Sequence, residues 1–201
     1  MAITKYQRIM SAAGVLSLVG VLSLPVITSA VADSDPTTIT ADVADSIVMT
    51  TSGSVLLDVI PSTAGALTSA SDTVTVSTNV AAGYTLILGD TDATTTLANG
   101  GNTLLASAGT QAVPTALETN RWGYAVASVG GFAGSYSTET NVTGSATTWA
   151  GVPANGSENT LKNQATAVVG DVTTVWYAAE VDLSKPTGNY VGEVTYTATS
   201  N

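Results

Sequence analysis

The chain has 201 residues, with 15 acidic and 5 basic side chains, no His, no Cys and a formal net charge of −10. The missing residue types exclude a disulfide framework, Cys/His metal ligation, a His-based triad, a Cys nucleophile and an imidazole pH switch. The negative balance repels a phosphate backbone and excludes nucleic acid as a partner. With charged residues at only 10%, this is not a charge-rich disordered tail either.

Residues 1–32 stand apart. Lys5 and Arg8 precede an apolar run from Ile9 to Ile27, with Pro25 near its end and Thr28-Ser29-Ala30-Val31-Ala32 after it. Basic head, apolar middle and small-residue end are the layout of a secretory signal peptide. Ala30-Val31-Ala32 fits the A-x-A pattern and places cleavage before Asp33, with cleavage after Ala30 as the alternative. The competing reading is an uncleaved anchor, since the run nearly reaches the length of a bilayer span; Pro25 and the small residues favour removal. The expected location is therefore secreted or at the cell surface, with no membrane partner after cleavage. Removal takes two basic residues and leaves Arg121, Lys162 and Lys185 against all 15 carboxylates, a soluble and self-repelling surface.

Beyond the signal, apolar and polar residues alternate with period two in segments rich in Val, Thr, Ile and Tyr, separated by Gly, Asn, Asp and Pro. Residues 33–53 read as a polar leader and a first strand. Over Thr38–Thr50 the odd positions Ile39, Ala41, Val43, Ile47 and Met49 form one apolar face, broken only by Asp45. Residues 54–201 read as the sandwich domain. Ser54–Ile60 is a denser apolar run closed by Pro61. Thr73–Thr78 and Tyr84–Leu88 alternate cleanly, the latter bracketed by Gly83 and Gly89. Asp90–Pro114 and Gly130–Gly156 read as long loops or irregular edge hairpins, with Trp122, Tyr124 and Val126 forming a strand face between them. Pro114–Asn120 and Asn159–Ala167 could each hold a short helical turn; helix is otherwise poorly supported. Val175, Tyr177, Ala179 and Val181 form a face that leads through a Leu183–Asn189 hairpin connection to Tyr190–Ala198. About eight to ten strands in an all-β antiparallel sandwich follow, immunoglobulin-like or jelly-roll-like.

Candidate chemistry is sparse. Asp58, Asp171, Asp182 and Glu193 are scattered on polar strand positions or turns and read as a solvated face, not as a glycosidase pair. Asp90-Thr91-Asp92, with Asn99 and Asn102, offers oxygen ligands on a loop, a weak calcium signal with no EF-hand loop behind it. Asp90 and Asp92 are the candidate metal residues. Trp122 and Trp176 sit in alternating segments and read as core. Trp149, in Thr147-Thr148-Trp149-Ala150-Gly151-Val152-Pro153, is the best candidate for an exposed aromatic that stacks on a glycan. An isopeptide cross-link needs a buried Lys beside a carboxyl, and Lys162 and Lys185 both read as loop-borne. Asn141 and Asn155 head glycosylation sequons that so Thr/Ser-rich a chain acquires by chance. The first strand, joined to a polar leader, could complete a neighbour's sheet by strand addition through Ile39, Ala41, Val43, Ile47 and Met49. Pairing within its own domain is the ordinary alternative.

The signal peptide, Gly-Tyr-Thr-Leu at 83–86, Trp-Gly-Tyr-Ala at 122–125 and the closing Gly-Asn-Tyr-Val-Gly-Glu-Val-Thr-Tyr-Thr-Ala are similar to those of secreted prokaryotic surface β-sandwich proteins. Some of those are fimbrial or pilin-like subunits. The resemblance implies a non-enzymatic structural role at the cell surface, with other copies of the chain as partners in a homopolymer. A carbohydrate-binding or adhesin module, with a glycan as partner, is the alternative.

Overall fold

The computed structural model describes residues 36–201; the expected signal peptide lies outside them. Residues 36–42 are the described part of an N-terminal unit that ends at Asp42, and they are exposed and without regular secondary structure. Val43–Asn201 form a second unit. It is all-β, with no helix among the described residues.

Eleven strands follow in order: β1 (Ile47–Thr50), β2 (Ala66–Thr78), β3 (Tyr84–Asp90), β4 (Leu97–Asn99), β5 (Asn102–Ala106), β6 (Thr115–Ala116), β7 (Arg121–Ala125), β8 (Thr148–Trp149), β9 (Asn159–Gln164), β10 (Val168–Val181) and β11 (Val194–Ser200). A six-stranded sheet runs β1-β2-β10-β7-β5-β4 and a three-stranded sheet runs β11-β3-β9, with β6 and β8 as a separate short pair. All strand pairings are antiparallel except β5 with β7. The core lies between the two larger sheets. Val74, Val76, Tyr124, Val175 and Tyr177 from the first meet Leu86, Leu88 and Leu161 from the second in one buried cluster. This is the sandwich that the period-two patterning predicts.

The spine is the β2–β10 ladder, which holds register from Ala66 opposite Val181 to Val76 opposite Asp171. Its first half, Ala66–Asp72, is missing from the sequence reading because Ala, Ser and Thr carry no strong alternation. These small residues are what the partner strand requires. Ser71 stands opposite Trp176 and Ala70 opposite Tyr177, so the bulk of each cross-strand pair comes from β10.

Three other expectations change. The strand predicted over Thr38–Thr50 contracts to Ile47–Thr50, and Ser54–Ile60 forms no strand although Val55, Leu57 and Val59 pack against the core. The Asn159–Ala167 turn is replaced by β9, which buries Leu161 while its polar neighbours stay at the surface. The Asp90–Pro114 segment keeps to its expectation, since it contains the β4–β5 hairpin at the edge of the larger sheet, turning at Gly100 and Gly101. The connection after β10 is not a hairpin, because β10 and β11 belong to different sheets. Tyr177 of β10 and Tyr196 of β11 join them across the core through their hydroxyls, 2.6 Å apart. Tyr196→Phe should therefore cost about 1–2 kcal/mol in urea denaturation, by leaving the largely buried Tyr177 hydroxyl without its partner. A change within about 0.5 kcal/mol, the usual range for surface substitutions, would contradict this bridge.

Candidate functional site

The five residues of the expected strand-addition face do not share one environment. Ile47 and Met49 lie in β1, pair with Thr78 and Val76 of β2, and pack against this chain's own core. They are committed at home. Ile39 is 90% exposed and Val43 83% exposed, and Ala41 is exposed as well. None of these three belongs to a strand. The change comes just before β1, where Asn79 grips the backbone. Its side chain accepts from the Ser46 N–H at 2.7 Å and donates to the Ala44 carbonyl at 2.8 Å, while its own N–H donates to the Ser46 carbonyl. Chain from Ala44 onward is anchored; the apolar positions before it have no such tie.

Trp149 is not the exposed aromatic the sequence suggests. It is 0% exposed. Its indole N–H donates to Thr147 Oγ1 at 2.9 Å, and its ring lies 5.3 Å from that of Tyr136. Tyr136 packs on Phe132 and Phe132 on Tyr124, an aromatic chain that ties the 126–149 segment to β7. The next residue, Ala150, exchanges both backbone hydrogen bonds with Tyr124. A sugar therefore finds no face of this ring.

A surface groove of about 720 Å³ runs past Ser107, Thr110, Gln111, Gly151 and Asn159. Its side-chain polar groups are hydroxyls and amides. Two of its lining residues are linked by the buried Tyr124 hydroxyl, which donates to Gln111 Oε1 and accepts from Asn159 Nδ2, both at 2.8 Å. Burial pushes this phenol up to about 12, against a smaller lowering by the Asn159 bond, so it is neutral at physiological pH.

Asp90 and Asp92 do come together, but with different companions from those expected. Asn99 and Asn102 face each other across the β4–β5 turn and do not line the Asp90 cavity. The register of β3 with β11 sets Val194 opposite Asp90, and the Thr91 N–H donates to the Glu193 carbonyl. Glu193 thus joins Asp90, Asp92, Thr94 and Thr96 around a cavity of about 260 Å³. It is separated from the D-x-D motif by about 100 residues of sequence, which is why spacing could not show it. Burial raises the Asp90 pKa, with the charges of Asp92 and Glu193 adding to the rise and backbone N–H bonds opposing it. Asp92 is held below its usual range by the side chain and backbone N–H of Thr94. Among the described residues no three His, Cys, Asp or Glu side chains converge closely enough to hold a metal alone.

The basic residues among the described residues are all engaged. Lys162, expected in a loop, lies in β9 and pairs with Asp171 Oδ1 of β10 at 2.5 Å, while Tyr84 of β3 donates its hydroxyl to Oδ2 at 2.8 Å. Lys185 donates to the Thr103 carbonyl at 2.6 Å, and Arg121 to the Ala106 carbonyl at 2.6 Å. Compared with known protein-family models, curated proteins and solved structures, the chain matches none.

Proposed function

We propose that this chain is a non-enzymatic extracellular structural subunit, exported by its N-terminal signal, that builds a cell-surface filament by adding its N-terminal segment to a neighbouring copy. The observation that carries this reading is the segment before Ala44. Ile39 and Val43 are large aliphatic residues at two of its alternating positions, yet both stand almost fully in water and outside any strand. Placing such side chains on another chain's apolar surface recovers about 25 cal/mol per Å², and an unpaired extended backbone gains a ladder of hydrogen bonds at an exposed sheet edge. The donor segment is consequently shorter than the strand expected from the sequence, because Ile47 and Met49 are held in β1.

Purified protein beginning at Asp33 should form filaments visible by negative-stain electron microscopy. Deleting residues 36–43, which spares the Asn79 anchors at Ala44 and Ser46, should abolish them and leave the melting temperature of the remaining domain unchanged. Intact protein that stays monomeric at high concentration, or filaments that persist after the deletion, would refute the reading.

A further inference from the structure

We infer that the Asp90–Asp92–Glu193 cavity is a binding site for a hard divalent cation, calcium by preference, which fastens the end of β3 to the start of β11. Asp90 lines this cavity and is only 5% exposed, and its Oδ2 is buried without any hydrogen-bond partner. Its Oδ1 accepts from the Asp92 N–H at 3.2 Å, so one oxygen is used locally and the other is left over. On Asp92, Oδ1 takes both bonds from Thr94, at 2.6 Å each. A carboxylate oxygen shielded from water and lacking a donor costs free energy unless a cation or a proton neutralises it.

No side chain of the described residues supplies that cation. Arg121, Lys162 and Lys185 are the only basic residues there, and each is engaged elsewhere in the sandwich. Two further carboxylates line the same cavity, which makes three negative groups around one space of about 260 Å³. Everything else with a polar side chain on that wall is a threonine. An all-oxygen lining suits calcium, which takes six to eight oxygen ligands, accepts hydroxyl and carbonyl groups among them, and completes its shell with water. Fewer than three converging carboxylates are then needed, and affinity falls in the range of extracellular modules, about 10⁻⁴–10⁻³ M.

The test is calorimetric. Titrating CaCl₂ into the metal-stripped protein should give one saturable site, and at about 10 mM calcium the melting temperature should rise by roughly 3–10 °C over an EDTA control of equal ionic strength. Asp90→Asn should lose both signals, whereas Asp58→Asn, at an exposed position of the Ser54–Ile60 segment, should keep them. Absence of heat and of a melting shift in the wild type would overturn the assignment, even if Asp90→Asn failed to fold. So would an Asp90→Asn protein that is more stable than the wild type in EDTA while the wild type ignores calcium. That result would identify Asp90 as a carboxyl kept neutral by a proton.

Discussion

Replacing Trp149 with Ala should lower stability by roughly 3–5 kcal/mol, the cost of removing a fully buried large aromatic side chain. For a domain of this size that corresponds to a fall in melting temperature on the order of 10 °C. The loss has three parts. Tyr136 loses one of its two aromatic partners and keeps Phe132, the cavity left by the ring relaxes only partly, and Thr147 Oγ1 loses one donor, although it retains bonds with Glu139 and Ser145. Trp149→Phe should recover more than half of the loss, since it keeps a ring in the aromatic chain and gives up mainly the indole hydrogen bond. An effect below about 0.5 kcal/mol would instead mark an exposed loop aromatic. For a proposed glycan contact the consequence is direct. Lost glycan binding in Trp149→Ala would report lost structure, and the groove beside Gln111 and Asn159 would be the place to substitute instead.

Trp149 also shows where sequence reasoning reaches its limit. Period-two alternation found β3, β7 and the second halves of β2 and β10, because there one face is aliphatic or aromatic and the other is polar. It missed the first half of β2, whose small residues are buried by the bulk of β10 opposite them. It missed β9, where only Leu161 faces inward. Nothing local marks Trp149 as core, since Gly151 and Pro153 give its surroundings the composition of a loop. Its burial comes from Ala150 pairing with Tyr124 and from the ring of Tyr136, 13 residues away in sequence.

The candidate sites follow the same division. Asp90 and Asp92 were legible as a motif, because two carboxylates one residue apart are a local feature. Glu193 was not, because it arrives only through the β3–β11 register. The segment proposed to exchange was legible in pattern but not in extent. Alternation runs from Ile39 to Met49 with Asp45 as its single break, and the hydrogen bonds of Asn79 divide the exposed part from the anchored part.

A second large effect is expected at Asp171, where the two sheets are joined by charge as well as by packing. β10 slips register between Val168 and Asp171, with Gly170 at φ +67. Such irregularities re-aim side chains, and here the carboxylate receives Lys162 from β9 and Tyr84 from β3. Partial burial pulls the Asp171 pKa up, but the Lys162 and Tyr84 hydrogen bonds and the Lys162 charge outweigh it and hold the carboxyl below its usual range. Asp171→Ala should cost about 2–4 kcal/mol, because it strands the hydroxyl of the fully buried Tyr84 as well as a partly buried ammonium. Lys162→Met should cost less, about 1 kcal/mol, since nearly a third of that side chain meets solvent and the Tyr84 bond survives. The pH dependence has a fixed sign. A carboxyl whose folded pKa lies below its unfolded value near 3.8 contributes its full stabilisation above that value and loses it as pH falls through the depressed one. The stability gap between wild type and Asp171→Ala should therefore be constant at neutral pH and narrow only below about pH 4. Urea midpoints measured for both proteins across that range would show it. A gap that narrowed near pH 6, or grew in acid, would mean that the Lys162–Asp171–Tyr84 link does not hold the two sheets together as an ion pair.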